Sequence, residues 1–240
     1  MKFDNILFWC EFPNEIDWNL ISKNLGKNKV RTYVASSSVK EFEKFKKESP
    51  KNIIVEGAWP ILPKEKGYWF SSWTDKKDID FLKEFKDYKI KVDIEPPIPE
   101  RFSYFWLIKY LLKKSQRKII LPENAIESTF PFPNWMLRRI GWQNNKIKNF
   151  MYYSSFVPRW LKPVYRLYYK SFIKKHNSKD TYFAMGLLDE GIFKNEPTYK
   201  NKEEFKRDLE FLNKNKVKNI VIFRLGSLQD KANWILPLLK

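Results

Sequence analysis

Residues 89–97 read KIKVDIEPP. Alternation puts Ile90, Val92 and Ile94 on one face of an extended segment and Lys91, Asp93 and Glu95 on the other, before two prolines end it. One face asks for apolar cover; the other carries charge, with both acids at the C-terminal end. A barrel ringed by helices presents acids at its mouth in this way, with the apolar face turned outward against the helices. Lys91 shares the face of Asp93, so the same spacing allows a structural ion pair between them.

Seven other segments have strand character: 6–11, 30–35, 52–57, 118–121, 149–153, 182–187 and 219–224. With 90–95 the count is eight. Segments of helical period lie between them. The first, 15–25, stops at Gly26. The second follows Ser38, which can cap a helix carrying Phe42 and Phe45, with Glu41 at capping-box spacing. Asp75 opens the third, with Ile79, Leu82 and Phe85 as its apolar stripe. The fourth, 102–115, is long and aromatic. Residues 125–145 read as irregular, broken by Pro131 and Pro133, then helical through WMLRRIGW. A sixth, 157–175, is interrupted at Pro158 and Pro163; 202–213 carries Phe205, Leu209 and Leu212 on one side, and a short helix lies near 234–239.

Alternating β and α segments, eight of each, predict an α/β fold, a single (β/α)8 TIM-like barrel over residues 1–240. A doubly wound open sheet is the alternative arrangement, and it usually brings a Gly-rich turn after its first strand. Here that strand ends in Glu11-Phe12-Pro13, and no GxGxxG or P-loop occurs. With seven glycines and no Gly/Ser-rich run, the chain has no linker-like segment. The start, MKFDNILFWCEF, reads as neither a secretory signal nor a spanning helix. Cys10 is the only cysteine, which excludes an internal disulfide and a cysteine-clustered zinc site, and a cytoplasmic location is expected.

Catalytic groups in such barrels come from the C-terminal ends of the strands. Those ends here carry Glu11, Glu56, Asp93 with Glu95, Glu123, Asp189 with Glu190, and Arg224. Acids converging in one barrel mouth repel one another unless something uses or compensates them. Beside them in the sequence stand Trp9, Trp59, Trp69, Trp73, Tyr152 and Tyr153. Aromatic faces stack on sugar rings or nucleobases, and acids supply the proton transfers of hydrolysis.

Asp93-Ile94-Glu95 followed by Pro96 resembles the end of the DxxDxDxE strand-four signature of family 18 glycoside hydrolases, the chitinase-like TIM barrels. The earlier aspartate positions of that signature hold Tyr88 and Lys91, and no SxGG motif is present. The resemblance implies Glu95 as the general acid, Asp93 as the group that orients the substrate, and Tyr152 or Tyr153 as a strand-six contact. A second resemblance, to the glycerophosphodiester phosphodiesterase barrels, implies Glu11, Asp93 and Glu95 as oxygen ligands for Mg or Ca. That family relies on two histidines, whereas His176 is the only one here, in a basic KKHNSK run that reads as a solvated helix end.

The expected function is hydrolysis of a glycoside or glycoconjugate. Glu95, Asp93, Glu11 and Glu123 form the catalytic set; Trp9, Glu56, Trp59, Tyr152, Tyr153, Asp189, Glu190 and Arg224 are the substrate-binding candidates. A non-catalytic peripheral membrane or anionic-polymer binding barrel is the alternative, and a metal-dependent phosphodiesterase the third. No cofactor is expected apart from the divalent cation of that third reading.

The formal charge is +18, which predicts an anionic partner. Its distribution is uneven: between residues 128 and 179 there is no acid and there are 11 Lys and Arg, interleaved with Trp, Tyr and Phe. That flank suits an anionic membrane surface, through Arg138, Arg139, Arg159, Lys162, Arg166 and Lys170. Phosphate contacts and base stacking could also use it, but no nucleic-acid-binding motif is visible.

Overall fold

The computed structural model describes residues 2–97, 112, 117–192 and 195–239. Eight parallel strands run in chain order as β1 (Asn5–Cys10), β2 (Val30–Ser36), β3 (Ile53–Pro60), β4 (Lys91–Asp93), β5 (Ile126–Thr129), β6 (Ile147–Tyr152), β7 (Thr181–Met185) and β8 (Asn219–Phe223). Their spatial order is β3-β2-β1-β8-β7-β6-β5-β4. The two ends of this sheet meet at single bridges, Ala58 to Ile90 and Phe70 to Ile94, so the sheet curls into a nearly closed TIM-like barrel. Gly57 sits at that seam. A Cβ there would lie 2.4 Å from the Lys89 carbonyl oxygen and 2.4 Å from the Tyr33 ring, so only glycine lets β4 approach.

Seven α-helices are described: α1 (Trp18–Leu25), α2 (Val39–Glu48), α3 (Lys76–Asp80), α4 (Asn134–Ile140), α5 (Lys162–His176), α6 (Lys202–Lys214) and α7 (Ala232–Ile235). Their starts follow local chemistry. Asp17, Ser38 and Asn201 accept hydrogen bonds from the first-turn N–H groups of α1, α2 and α6. Glu41 reaches back as expected but takes the N–H of Ser37, one residue before the cap. α3 runs on as a 3-10 turn, Phe81–Phe85, and the helix expected over 102–115 lies outside the described residues.

The strand alternation separates two cores. Phe8, Ile90, Val92, Ile94, Phe150, Phe183, Ile220 and Ile222 face outward and pack with the helices. Leu7, Trp9, Tyr33, Trp59, Met151, Ala184 and Phe223 fill the barrel interior. KIKVDIEPP is therefore a stave whose apolar face is turned out and whose charged face is turned in.

Strand five is a correction. Residues 118–121, KIIL, form no strand; the chain runs on and pairs at Ile126–Thr129, between Lys91–Asp93 and Ile147–Phe150. The reason lies in what each run can bury. In KIIL, Ile119 is buried and Ile120 is 77% exposed, whereas all four residues of IEST are buried, Glu127 and Ser128 included. Glu127 tolerates burial because its carboxylate accepts the backbone N–H groups of Gln143 and Asn145, at 2.5 and 2.7 Å. Burial still pushes its carboxyl up to about 7.

Candidate functional site

All strands are parallel, so their C-terminal ends share one end of the barrel, and there the charged face of β4 meets its neighbours. Lys91 and Asp93, 1% and 2% exposed, form a salt bridge at 2.5 Å between Nζ and Oδ2. The ammonium lies 3.3 Å from the centre of the Trp59 ring and 5.2 Å from that of Trp9. A buried lysine is tolerable only when its charge is answered, and here a carboxylate and two aromatic faces answer it. Burial lowers its ionisation point; the Asp93 carboxylate opposes that shift.

Glu95, two residues on, is buried, and its carboxyl is held well above the usual carboxylate range, first by burial and then by the charge of Asp93. Glu11, just past β1, is pushed up to about 8, by burial and then by the charge of Glu196. The ionisation of the Tyr153 hydroxyl, following β6, is raised by burial and then by Asp93, Glu95, Glu11 and Glu196 in turn. Tyr68 comes from the loop between β3 and α3, where it adopts a left-handed φ of 62°, and its hydroxyl faces Glu11 without the geometry of a hydrogen bond. Each of these groups feels the others, so they occupy one electrostatic neighbourhood.

Glu196 carries no strand signal, because it lies in the long segment between β7 and α6. A Cβ built on Gly191 would meet its Oε2 at 2.6 Å and the Oε2 of Glu11 at 3.1 Å, which brings both carboxyls to one spot. Glu196 is held there by the Gly191 N–H at 2.5 Å. Arg224, immediately after β8, stacks over Phe12 at 4.7 Å and donates to Asp189 at 3.1 Å. The peptide bond joining Phe223 to Arg224 is cis.

Among the described residues, seven buried side-chain atoms without a hydrogen-bond partner gather here. They are Trp9 Nε1, Glu11 Oε2, Trp59 Nε1, Tyr68 Oη, Asp93 Oδ1, and Nε and Nη1 of Arg224. Buried polar groups are normally paired, so this concentration of open donors and acceptors makes the mouth the candidate site.

The other sequence candidates are placed differently. Glu56 is the extra residue of a bulge between β2 and β3, and it forms a two-pronged salt bridge with Arg31, at 2.7 and 2.9 Å. Arg31 also holds Asn5, the first residue of β1, so Glu56 serves the lower barrel and not the mouth. Glu123 lies exposed in the turn before β5, at the opposite end, as the shift of that strand requires. Glu190 is exposed, and Asp189 is half-buried against Arg224. Tyr152 points outward, where its hydroxyl donates to Asp208; Tyr153 is the strand-six tyrosine that reaches the acids. Trp9 and Trp59 are fully enclosed, with one face of Trp59 against Lys91, so neither offers an open stacking platform.

Among the described residues, no group of three or more His, Cys, Asp or Glu side chains is placed to hold a metal ion. Of the oxygen ligands that the phosphodiesterase reading names, Asp93 has Oδ2 engaged by the Lys91 ammonium. His176 is half-buried, not solvated: it stacks on Phe172 at 4.3 Å at the far end of α5. On the basic flank, Arg166 is committed to buried Asp208 at 2.9 Å and Lys162 lies 4.0 Å from Glu204. Arg139 is half-buried, whereas Arg138, Arg159 and Lys170 are exposed. No helix among the described residues is long and apolar enough to cross a membrane.

Fold and site together define a TIM-like parallel barrel with an acid-lined mouth built around a buried lysine. No protein-family model and no curated protein matches the chain.

Proposed function

We propose that the barrel mouth hydrolyses a glycoside or glycoconjugate, with Glu95 as the general acid. The observation that supports this is the contrast between neighbours on one strand face. The Glu95 carboxyl is held well above the usual range by burial and then by the charge of Asp93, while Asp93 is salt-bridged to Lys91 through one oxygen and leaves the other without a partner. A buried carboxyl held above its usual range beside one engaged in an ion pair is a basis for assigning acid and partner.

Glu95 would donate its proton to the departing glycosidic oxygen, and Asp93 Oδ1 would accept a hydrogen bond that orients the substrate. Glu11, pushed up to about 8, is a second carboxyl held above the usual range. Unpartnered donors on Trp9, Trp59, Tyr68 and Arg224, interspersed with acceptors on Glu11 and Asp93, suit a ring bearing several hydroxyls.

The test is turnover of a panel of aryl glycosides by the parent protein and by Glu95→Gln. The expected result is a loss of about 10²–10⁴ in kcat, the range for a positioned general acid, with a melting temperature no lower than that of the parent. Turnover that survives Glu95→Gln removes the assignment, and a parent protein that turns over nothing in the panel removes the hydrolase reading.

A further inference from the structure

The flank made by α4 and α5 carries large apolar side chains that are exposed among the described residues. On α5, Tyr165, Tyr169, Phe172 and Ile173 pack toward the barrel, as an amphipathic helix should. Its other face carries Val164, Leu167 and Tyr168, at spacings of three and four residues. Val164 is 65% and Leu167 71% exposed, and Tyr168 is also open. Trp160, just before the helix, is 77% exposed. The helix is thus apolar on both sides, and its outer side faces solvent.

These residues form one surface at one end of the barrel. The Tyr168 hydroxyl donates to the Pro131 carbonyl at 2.5 Å, tying the outer face of α5 to the loop that leads into α4, where Trp135 stands exposed. Both α4 and the 3-10 turns before α5 follow the C-terminal ends of β5 and β6, so the surface rims the mouth. It is continuous with the site as well: Tyr153 stacks on exposed Phe156 at 5.9 Å.

Charge identifies what covers it. The segment 128–179 holds no acid, and Arg138, Arg159 and Lys170 are exposed among the apolar groups. Tryptophan and tyrosine with aliphatic side chains and a basic rim match the depth profile of a bilayer interface, where aromatics sit among headgroups and cations meet lipid phosphates. Nucleic acid uses flat rings and cations, but Val164 and Leu167 have no face on which a base could stack.

We propose that this rim docks the barrel, mouth toward the membrane, on an anionic lipid bilayer. The site then opens beside the headgroups, and its substrate is a glycoconjugate carried by the membrane. That consequence rests on the hydrolase reading; the docking itself does not, and it is measured without turnover.

The experiment is co-sedimentation of the intact chain with vesicles of equimolar phosphatidylcholine and phosphatidylglycerol, and with pure phosphatidylcholine, at low and high salt. Binding is expected on the anionic vesicles at low salt, weakening as salt screens the rim. Leu167→Glu is expected to lower binding about tenfold or more, and Leu167→Gln in the same direction by less, because both place polar groups where acyl chains would lie. Leu20→Glu, on exposed α1, serves as the control and should leave binding unchanged. Melting temperatures verify that the variants are folded. No binding to anionic vesicles at low salt overturns the proposal, as does binding that both Leu167 variants retain. Capture of single-stranded RNA in place of vesicles also overturns it.

Discussion

Two buried carboxylates on opposite sides of the barrel wall have opposite fates. Asp208, on α6, sits outside the wall and accepts hydrogen bonds from Tyr152, Ser154, Arg166 and Tyr199. Asp93, inside, has one oxygen on Lys91 and the other unpartnered, and its neighbours Glu11, Tyr68 and Arg224 also have unpartnered atoms. Asp208 itself is fully engaged and holds α5 and α6 to β6; the open atom of this network is Arg166 Nε, on the donor and not on the carboxylate. The unsaturated cluster inside leaves its open donors and acceptors available to water or to a ligand.

The largest effect expected from this contrast is on the saturated side. Asp208→Ala leaves the partly buried Arg166 guanidinium and three hydroxyls without their acceptor, and should cost about 3–5 kcal/mol in urea denaturation. A cost under about 1 kcal/mol would mean the network is ornamental and the contrast false.

Glu11→Gln comes next, and its sign depends on pH. The carboxyl titrates at about 8 in the folded protein against an ordinary value of 4.5. Between those values the folded state holds a proton that the unfolded state has released, so this group's contribution is present below about pH 4.5 and is lost as pH rises through about 8. Parent and variant should therefore be equally stable in acid, and the variant should gain on the parent by up to about 1.4 kcal/mol per pH unit on the way to alkaline conditions. Glu127 shifts in the same sense without involving Glu11 and cancels in the difference, which reports Glu11 together with its effect on Glu95. Parallel curves across that range would place Glu11 in water, not in a closed mouth.

The smallest effect sharpens the comparison most directly. Tyr199→Phe removes a 2.8 Å hydrogen bond to Asp208 and should cost about 1 kcal/mol. Tyr68→Phe removes a hydroxyl without a partner and should change stability by no more than about 0.5 kcal/mol. If Tyr68 contributes turnover instead of stability, activity falls while melting holds; equal stability losses at both positions would erase the distinction between the two clusters.

Much of this was legible in the chain. Alternation along 90–95 placed Lys91, Asp93 and Glu95 on one face, and the strand-end position of Glu11 placed it at the same mouth. The two-residue spacing of Lys91 and Asp93 allowed their ion pair, and the structure forms it. Strand five was not legible, because Glu127 and Ser128 look like loop residues until the Gln143 and Asn145 amides are there to satisfy the buried carboxylate. Glu56 read as a mouth residue because a bulge has no signature in a run of IIVEG.

Periodicity by itself determined the parallel barrel, the inward face of strand four and the direction in which its acids point, because a side chain's side of a strand is decided by its neighbours in sequence. Only the tertiary structure decided that Glu196 and Tyr68 join the mouth, that Tyr153 and not Tyr152 faces it, and that the tryptophans are enclosed. Loop conformation, bulges and burial depend on residues distant in the chain, and no local pattern encodes them.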